Sequence, residues 1–327
     1  MSIIITGGAG FIGSHVVDAF LVKGHQVIIL DNLSTGRREN LEHLKNNFQF
    51  INCDISENGD WKNFIKDGDT VVHLAALADI VPSIQNPENY FHTNVTGTLN
   101  VLMACKGKKL QKFIYAASSS CYGIPNQFPT PENAPISAEY PYALTKRLGE
   151  ELVMHWQRVF ALPCISLRLF NVYGTRSRTS GTYGAVFGVF LAQKLAGQPF
   201  TIVGDGSQTR DFTYVTDVAE AVLMSAESAL TGEIMNVGSG QTISVNEIAD
   251  LLGGSKVHIP KRPGEPECTF ADISKITAIM NWHPKIDIQT GVNTVLEEID
   301  YWKEAKVWTP ETISDATKEW FRFLDRY

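Results

Sequence analysis

The sequence predicts an α/β protein with a doubly wound parallel β-sheet and a smaller carboxy-terminal lobe. Three features of the 327-residue chain support this fold class. Short apolar runs alternate with helical patterns as far as Tyr173, and such alternation makes successive strands parallel with right-handed crossovers. A glycine-rich turn separates the first apolar run from the first helix. Beyond Tyr173 the chain is rich in Thr, Ser, Gly and Arg, and its apolar runs are short and scattered.

The first strand–turn–helix unit carries the most informative motif. Residues 2–5 predict a buried strand, residues 6–13 read Thr-Gly-Gly-Ala-Gly-Phe-Ile-Gly, and residues 14–22 predict a helix. In such a unit one glycine makes the tight turn, one lets backbone approach a pyrophosphate, and one allows close helix–strand packing. The helix N-terminus also offers N–H groups and a positive dipole end to phosphates. The motif therefore predicts a Rossmann-type dinucleotide-binding domain.

The second strand, at residues 26–30, ends at Asp31, which lies near the ~20-residue offset expected after the glycines. A carboxylate at that place accepts hydrogen bonds from the adenosine ribose and repels a 2′-phosphate, which favours NAD over NADP. The alternative is an Asp that only caps a loop. Arg37 and Arg38 follow closely and are able to accept a 2′-phosphate, although a solvated loop is their simpler interpretation. The cofactor prediction is NAD.

The remaining elements follow in chain order. Strands are predicted at residues 48–52, 70–74, 112–117 and 163–168, with helices near 60–66, from 86 to 105 and from about Tyr142. We assign residues 1–173 to the dinucleotide-binding domain and residues 174–327 to the smaller lobe, and expect residues 213–240 to return to the first domain. Thr309 and Pro310 start a final helix. Its apolar stripe predicts packing on the smaller lobe.

Composition limits the function classes. The chain is 44% hydrophobic and 19% charged, with a net charge of −7, so it has no electrostatic footprint for nucleic acid. Its five cysteines are odd in number and lack a Cys-x-x-Cys pair, which argues for reduced thiols and against a metal site. We see no charged leader and no apolar run of about 20 residues, so a cytoplasmic protein without membrane contact is expected.

Candidate catalytic residues lie at the start of the helix near Tyr142. Tyr142 and Lys146 are four residues apart and therefore share one helix face. A Lys ammonium beside a phenol favours the phenolate, as does an oxidised nicotinamide, so we expect a lowered pKa and a Tyr that acts as a base. Ser118 follows a strand whose carboxyl end lines the ligand crevice of a parallel sheet. We expect it to hydrogen-bond the substrate hydroxyl that Tyr142 deprotonates.

The motifs together resemble the extended short-chain dehydrogenase/reductase superfamily, in its nucleotide-sugar epimerase and dehydratase branch. The resemblance extends to about Leu296 and rests on the glycine turn, Leu-Asp-Asn-Leu, Cys-Asp-Ile, His-Leu-Ala-Ala, Ser-Ser-Ser-Cys-Tyr-Gly, Tyr-Ala-Leu-Thr-Lys, Arg-Leu-Phe-Asn-Val-Tyr-Gly, Thr-Arg-Asp-Phe and Arg-Pro-Gly-Glu.

The resemblance implies a role for each matching residue. Ser118, Tyr142 and Lys146 would be catalytic, the latter two also touching the cofactor. Asn171, Arg210 and Arg262 would hold the sugar nucleotide diphosphate, and Arg forks suit phosphate oxygens. The implied cofactor residues are Gly7, Gly10, Phe11, Ile12, Gly13, Asp31, Asn32, Ser34, Gly36, Asp54, Ile55, Ala75 and Ala76. The helices near 86–105 and 142–160 resemble the pair that forms a four-helix interface, so a homodimer is expected.

The reaction is predicted from two serines. The family's 4,6-dehydratases carry Asp and Glu where Ser119 and Ser120 stand here, and they need both for elimination. Related decarboxylases also need Glu at the second place. What remains is the minimal set for reversible oxidation, which predicts a nucleotide-sugar 4-epimerase with both serines beside the substrate.

Two alternatives stay open at this point. Asp79, in the loop after Ala75-Ala76-Leu77, either faces the sugar as an extra acid or is held by backbone. If it acts on the sugar, a 4,6-dehydratase or a 3,5-epimerase is the alternative reaction. A non-enzymatic NAD-binding sensor or scaffold is the more remote alternative, because fold alone does not exclude one.

Substrate size is predicted from Thr269. In the epimerases that the chain resembles, this place borders the sugar 2-position, where a Tyr would crowd an N-acetyl group. Thr leaves space there, so UDP-N-acetylglucosamine and UDP-glucose are the expected substrates. The alternative is that Thr269 only packs the smaller lobe.

Overall fold

The protein is described here by a computed structural model that covers residues 1–45, 47–177 and 184–324. The described strands are β1 (Ser2–Thr6), β2 (Gln26–Asp31), β3 (Gln49–Asn52), β4 (Thr70–His73), β5 (Lys112–Ser118), β6 (Cys164–Leu169), β7 (Val172–Tyr173), β8 (Phe200–Val203), β9 (Thr209–Arg210), β10 (Thr213–Tyr214), β11 (Glu233–Val237), β12 (Ile243–Ser244) and β13 (Lys256–Ile259).

The α-helices of the described residues lie between and after these strands. They are α1 (Phe11–Val22), α2 (Ile80–Gln85), α3 (Pro87–Phe91), α4 (Gly97–Cys105), α5 (Pro141–Phe160), α6 (Val186–Leu195), α7 (Val215–Glu227), α8 (Val245–Leu252), α9 (Ser274–Met280), α10 (Ile288–Glu297) and α11 (Pro310–Leu324).

A seven-stranded parallel sheet forms the centre of the molecule, in the order β11-β6-β5-β4-β1-β2-β3. Helices α1 and α7 cover one face through an apolar core, and α4 and α5 cover the other. Every residue of β5 is buried, because a parallel sheet with helices on both faces leaves no face for water. The doubly wound α/β prediction is confirmed.

The smaller lobe packs around a separate core that includes α6, α8, α10 and α11. Its strands are short, pairing β13 with β8, β12 with β9, and β10 with β7. Residues of the later chain also enter the central sheet, where β11 pairs parallel with β6, and α7 packs on α1. The exact division at residues 173 and 174 stays a prediction.

Several predicted elements need correction. The first helix begins at Phe11, three residues before its predicted start, because the end of the glycine turn is itself helical. The helix predicted near residues 60–66 is a 3₁₀ helix at Asp60–Phe64. The long helix from 86 to 105 contains a π-helical segment at His92–Thr96 between α3 and α4. Helix α11 packs in the core of the smaller lobe, as predicted, and also contacts α2.

Candidate active site

The candidate site lies where β1, β4 and β5 end side by side. Thr6, the last residue of β1, accepts a hydrogen bond at Oγ1 from the backbone N–H of Ala75, over 3.2 Å. Ser118 ends β5 and is buried. Parallel strands place their carboxyl ends at one edge, and this edge is where such sheets bind ligands.

The glycine turn has the close fit that a dinucleotide needs. Gly7 has a φ of +72°, and a Cβ there would lie 2.8 Å from the Ala75 backbone. A Cβ on Gly13 would lie 2.0 Å from the carbonyl oxygen of Gly7, so α1 packs on the turn only with glycine. Gly10, the N-cap of α1, supplies no side-chain cap, so the N–H groups of the first turn stay available to a phosphate. These residues fit a dinucleotide.

Asp31 ties the glycine turn to the loop after β2. Its Oδ2 accepts the Ala9 N–H at 2.9 Å, and its Oδ1 accepts the Leu33 N–H at 2.8 Å. Burial raises the pKa of Asp31, and these two hydrogen bonds oppose the rise. The carboxylate oxygens each keep a lone pair, so a ribose hydroxyl remains a suitable donor.

The neighbouring polar residues form one edge of the same region. Asn32 donates to Asp54 Oδ2 at 2.9 Å and accepts the Ser34 N–H at 2.9 Å. Asp54 also accepts the Ser56 N–H and hydroxyl. Burial opposes ionisation of Asp54, but the hydrogen bonds from Ser56 and Asn32 outweigh it and lower its pKa.

Two further predicted cofactor residues are closely packed. Ile55 is buried in the core beneath, and a Cβ on Gly36 would lie 2.9 Å from the Ala9 backbone.

Arg37 and Arg38, the two residues able to accept the 2′-phosphate of NADP, have aromatic neighbours. The Arg37 guanidinium lies 5.7 Å from the Tyr301 ring centroid, and that of Arg38 lies 4.5 Å from the Phe50 ring centroid. Cation–π contacts of this kind hold a guanidinium over the ring face. Both side chains therefore have partners within the protein.

Helix α5 brings the three predicted catalytic residues together. It begins at Pro141, so Tyr142 lies in its first turn and Lys146 one turn further along. The Tyr142 phenol is hydrogen-bonded to Ser118 across the crevice. The Lys146 ammonium lies 4.5 Å from the centroid of the Tyr115 ring, and only 5% of Lys146 is exposed. A Cβ on Gly149 would lie 2.1 Å from the Tyr115 hydroxyl, so glycine is required for this packing.

Burial, more than charge pairing, sets the protonation of Tyr142 and Lys146. It lowers the pKa of Lys146 to about 7, against the opposing effect of Glu150. It also raises the pKa of Tyr142, helped by the charge of Asp79 and opposed by the Ser118 hydrogen bond. Without the cofactor's charge, the net shift of the Tyr142 pKa is therefore upward, and the predicted net lowering is wrong for the protein's own residues. Desolvation of a group that leaves water exceeds the pairwise effect.

A buried ion pair supports α5 from the sheet. Glu150, one turn beyond Lys146, accepts hydrogen bonds from Arg168 on β6 at 2.8 and 3.0 Å. Ser166 and Arg147 donate to the same carboxylate, and Arg168 also donates to the Tyr122 hydroxyl at 2.8 Å. Sequence reasoning missed Glu150 and gave Arg168 no role. The available signals were the four-residue spacing of Lys146 and Glu150 and an arginine within a buried strand.

The predicted diphosphate arginines meet at one carboxylate. Arg210 Nη2 lies 3.1 Å from Glu265 Oε1, and Arg262 Nε lies 3.6 Å from Glu265 Oε2. Burial would raise the pKa of Glu265, but the two guanidinium groups outweigh it and lower the pKa. A cavity of about 380 Å³ is lined by Arg210, Lys261 and Glu265 together with neighbouring residues. The pair is thus close enough to bind one anionic group.

The other predicted substrate residues lie around this region. Thr269 donates to Asn171 Oδ1 at 2.8 Å and accepts the Asp211 N–H at 3.3 Å. Ser120 donates to Ser118 Oγ at 2.9 Å, and the 3₁₀ helix that holds both Ser119 and Ser120 follows β5 directly. Their roles towards substrate stay predictions.

Asp79 is the N-cap residue of α2, with no capping hydrogen bond from its side chain. Its backbone N–H donates to the Tyr90 hydroxyl at 3.2 Å. Its carboxylate is close enough to Tyr142 to raise the pKa of that phenol. Both interpretations of Asp79 therefore stay open.

Comparison with known proteins identifies the family. The model of the NAD dependent epimerase/dehydratase family matches residues 3–238 of the chain. The chain belongs to this family.

Relatives within the family differ in reaction. A protein of Methanocaldococcus jannaschii named "Putative UDP-glucose 4-epimerase" is 39% identical over 302 residues, covering 90% of this chain and 97% of the relative. A UDP-N-acetyl-alpha-D-glucosaminuronate decarboxylase of Bacillus cytotoxicus is 33% identical over 313 residues, covering 90% and 96%. Both an epimerase and a decarboxylase are thus similar to this chain.

Solved structures of the family share the fold. A UDP-N-acetylglucosamine 4-epimerase from Methanobrevibacter ruminantium, solved in complex with UDP-N-acetylmuramic acid, has a TM-score of 0.84 at 34% identity, covering 91% of this chain and 98% of its own. Other similar structures were solved with NAD.

Family membership makes this chain an NAD-dependent enzyme, against the sensor or scaffold alternative. Within the described residues no helix is long and apolar enough to cross a membrane. Over the same ranges, no group of three or more His, Cys, Asp and Glu residues could hold a metal ion.

Proposed function

We propose that this family member is a UDP-sugar 4-epimerase that acts on UDP-N-acetylglucosamine and UDP-glucose. The observation that carries the proposal is the trio of Ser118, Tyr142 and Lys146 with serines, and no carboxylates, at positions 119 and 120. A serine hydroxyl does not serve as the acid or base of an elimination at neutral pH. The site has what an oxidation at C4 and its reversal require, and lacks that acid–base pair.

In this mechanism Tyr142 removes the proton from the C4 hydroxyl, and Ser118 hydrogen-bonds the same oxygen. NAD, when bound, would supply the hydride acceptor for C4 oxidation and the hydride for its reversal. Lys146, in its charged form, stabilises the phenolate electrostatically. Arg210 and Arg262 hold the diphosphate by charge-assisted hydrogen bonds while the 4-keto sugar rotates. Tyr142 then returns the proton to the C4 oxygen after the opposite face has been reduced.

The raised pKa of Tyr142 in the folded protein affects when this residue can act as a base. Because burial raises that pKa, the phenol is protonated at neutral pH when it has only the protein's own residues around it. The charge that favours phenolate must come from Lys146 in its ammonium form and from the cofactor. We therefore expect the base to be active only in the assembled complex.

A product assay tests the proposal directly. The NAD-saturated protein is incubated with UDP-, GDP-, CDP- and dTDP-linked sugars, including UDP-glucuronic acid, and products are read by NMR. Interconversion of the gluco and galacto forms of UDP-glucose and UDP-N-acetylglucosamine is expected. A 4-keto-6-deoxy sugar would instead identify a dehydratase, a product changed at C3 or C5 would identify a 3,5-epimerase, and release of carbon dioxide from a uronate would identify a decarboxylase. Asp79→Asn tests whether Asp79 supplies the extra acid in either of the first two cases.

We also propose a homodimer. The face formed by α3, α4 and α5 has large exposed apolar side chains, namely Phe91, Leu99, Met103, Leu144, Val159 and Phe160. Both α3 and α4 contact α5, and apolar exposure on adjacent helices favours an interface. Light scattering after size-exclusion chromatography tests it, and the mass of a monomer at micromolar concentration would contradict it.

A further inference from the structure

The carboxy-terminal helix α11 reaches two elements of the candidate site through Trp320. This side chain is 2% exposed. Its ring centroid lies 5.4 Å from the Arg262 guanidinium carbon and 6.3 Å from the centroid of Tyr140. Its Nε1 donates to the carbonyl oxygen of Pro263 at 2.7 Å. Trp320 therefore holds both the side chain of Arg262 and the backbone next to it.

The contact with Tyr140 leads to the catalytic helix. Tyr140 is the N-cap residue of α5, and its ring stacks on Tyr142 with centroids 6.5 Å apart and an angle of 8° between the planes. Trp320, Tyr140 and Tyr142 thus form a continuous series of aromatic contacts. The Trp320 ring therefore contacts both Arg262, which is predicted to bind phosphate, and Tyr140, which stacks on the predicted base Tyr142.

Helix α11 also supports a third element of the site. The backbone carbonyl of Ala316 accepts a hydrogen bond from Gln85 on α2 at 3.4 Å. Asp79 is the N-cap of that helix. Helix α11 therefore contacts α2, which follows Asp79, the N-cap residue Tyr140 of α5, and the loop that contains Arg262.

We propose that Trp320 is a positioning residue of the sugar-nucleotide site, which holds Arg262 in place for the substrate diphosphate. The inference rests on the proposed function, in which Arg262 binds that diphosphate. A guanidinium held over an aromatic face loses less freedom when the anion binds. We expect Arg262 to bind the diphosphate equally tightly in the ground state and the transition state, so weakening this contact raises KM and leaves kcat unchanged.

Three variants separate the ring from general packing of α11. Trp320→Leu removes the aromatic face but keeps apolar volume, and Trp320→Phe keeps a face over Arg262. Ile313→Ala is the control, since Ile313 is 3% exposed on the same helix and packs in the lobe core. Each NAD-saturated variant is measured for UDP affinity by calorimetry, and for kcat and KM with UDP-glucose.

Trp320→Leu is expected to raise both the UDP Kd and the UDP-glucose KM by about 2- to 30-fold, with kcat unchanged, and Trp320→Phe is expected to restore most of the loss. Equal values for Leu, Phe and wild type would overturn the inference, as would an equal rise of KM in Ile313→Ala. If Ile313→Ala fails to fold, the comparison of Leu with Phe decides alone. A wild type that neither binds UDP nor converts UDP-glucose would overturn the proposed function itself, and this inference with it.

Discussion

Replacing Lys146 with methionine is expected to make the protein more stable near neutral pH. The side chain is 5% exposed, and burial lowers its pKa from 10.5 to about 7. Each pKa unit corresponds to about 1.4 kcal/mol, so keeping this ammonium buried costs as much as about 5 kcal/mol of unfolding free energy. Methionine keeps an unbranched apolar chain and has no charge to desolvate. The proposed function thus requires a lysine whose burial lowers the unfolding free energy.

The pH dependence of this gain is the sharper test. Between a folded pKa of about 7 and an unfolded pKa of 10.5, the unfolded chain binds a proton that the native protein does not. The unfolding free energy of the wild type therefore rises with pH through this window, by up to about 1.4 kcal/mol per pH unit. The methionine variant lacks this rise, so its advantage shrinks by roughly 2–3 kcal/mol between pH 7.5 and 9.5.

Urea unfolding of both proteins, stripped of NAD, measures the difference at several pH values. Burial raises the pKa of Cys53, Cys105, Cys121 and Cys164, but those contributions are common to both proteins and cancel. Lys23→Met is the matched control, since Lys23 is exposed. A difference between Lys146→Met and wild type that does not change with pH would refute the reasoning.

Four further variants test the site. Tyr142→Phe should keep the fold and bound NAD but lose about 10²- to 10⁴-fold in turnover, because a general base contributes that much. Ser118→Ala should reduce turnover less. Near-normal turnover of Tyr142→Phe in the NMR assay would contradict the mechanism. Thr269→Tyr should abolish turnover of UDP-N-acetylglucosamine and spare UDP-glucose, because overpacking penalises only the larger group, and an equal effect on both would mean that the residue is not at the sugar 2-position. Glu150→Gln should lower the unfolding free energy by about 3–5 kcal/mol, since Arg168 keeps a buried charge without its carboxylate, and urea curves that match wild type would disprove this.

Local sequence patterns predicted the first βα unit well. Gly7 is favoured by its positive φ, and Gly13 by the close approach of Gly7 within the same turn. The apolar runs around the turn have the period of buried strands and helices. The spacing of Tyr142 and Lys146 also follows from helix geometry alone. These features depend on neighbours in the chain, and the sequence therefore contains them.

The electrostatic state of the site depends on burial, which a local pattern does not contain. Burial places the pKa of Lys146 near 7 and raises that of Tyr142, where the sequence argument predicted a lowered phenol pKa. Only the tertiary structure removes water from these groups, and desolvation outweighs a single charged neighbour.

Long-range pairs were equally beyond the sequence. Arg168 meets Glu150 across β6 and α5, Arg210 and Arg262 meet at Glu265, and Trp320 reaches Tyr140 from the far end of the chain. The sequence alone determined the fold class, the glycine turn and the candidate catalytic residues, through local periodicity and spacing. The tertiary structure alone decided which distant charges pair and which groups lose water, because both depend on how the packed elements enclose them.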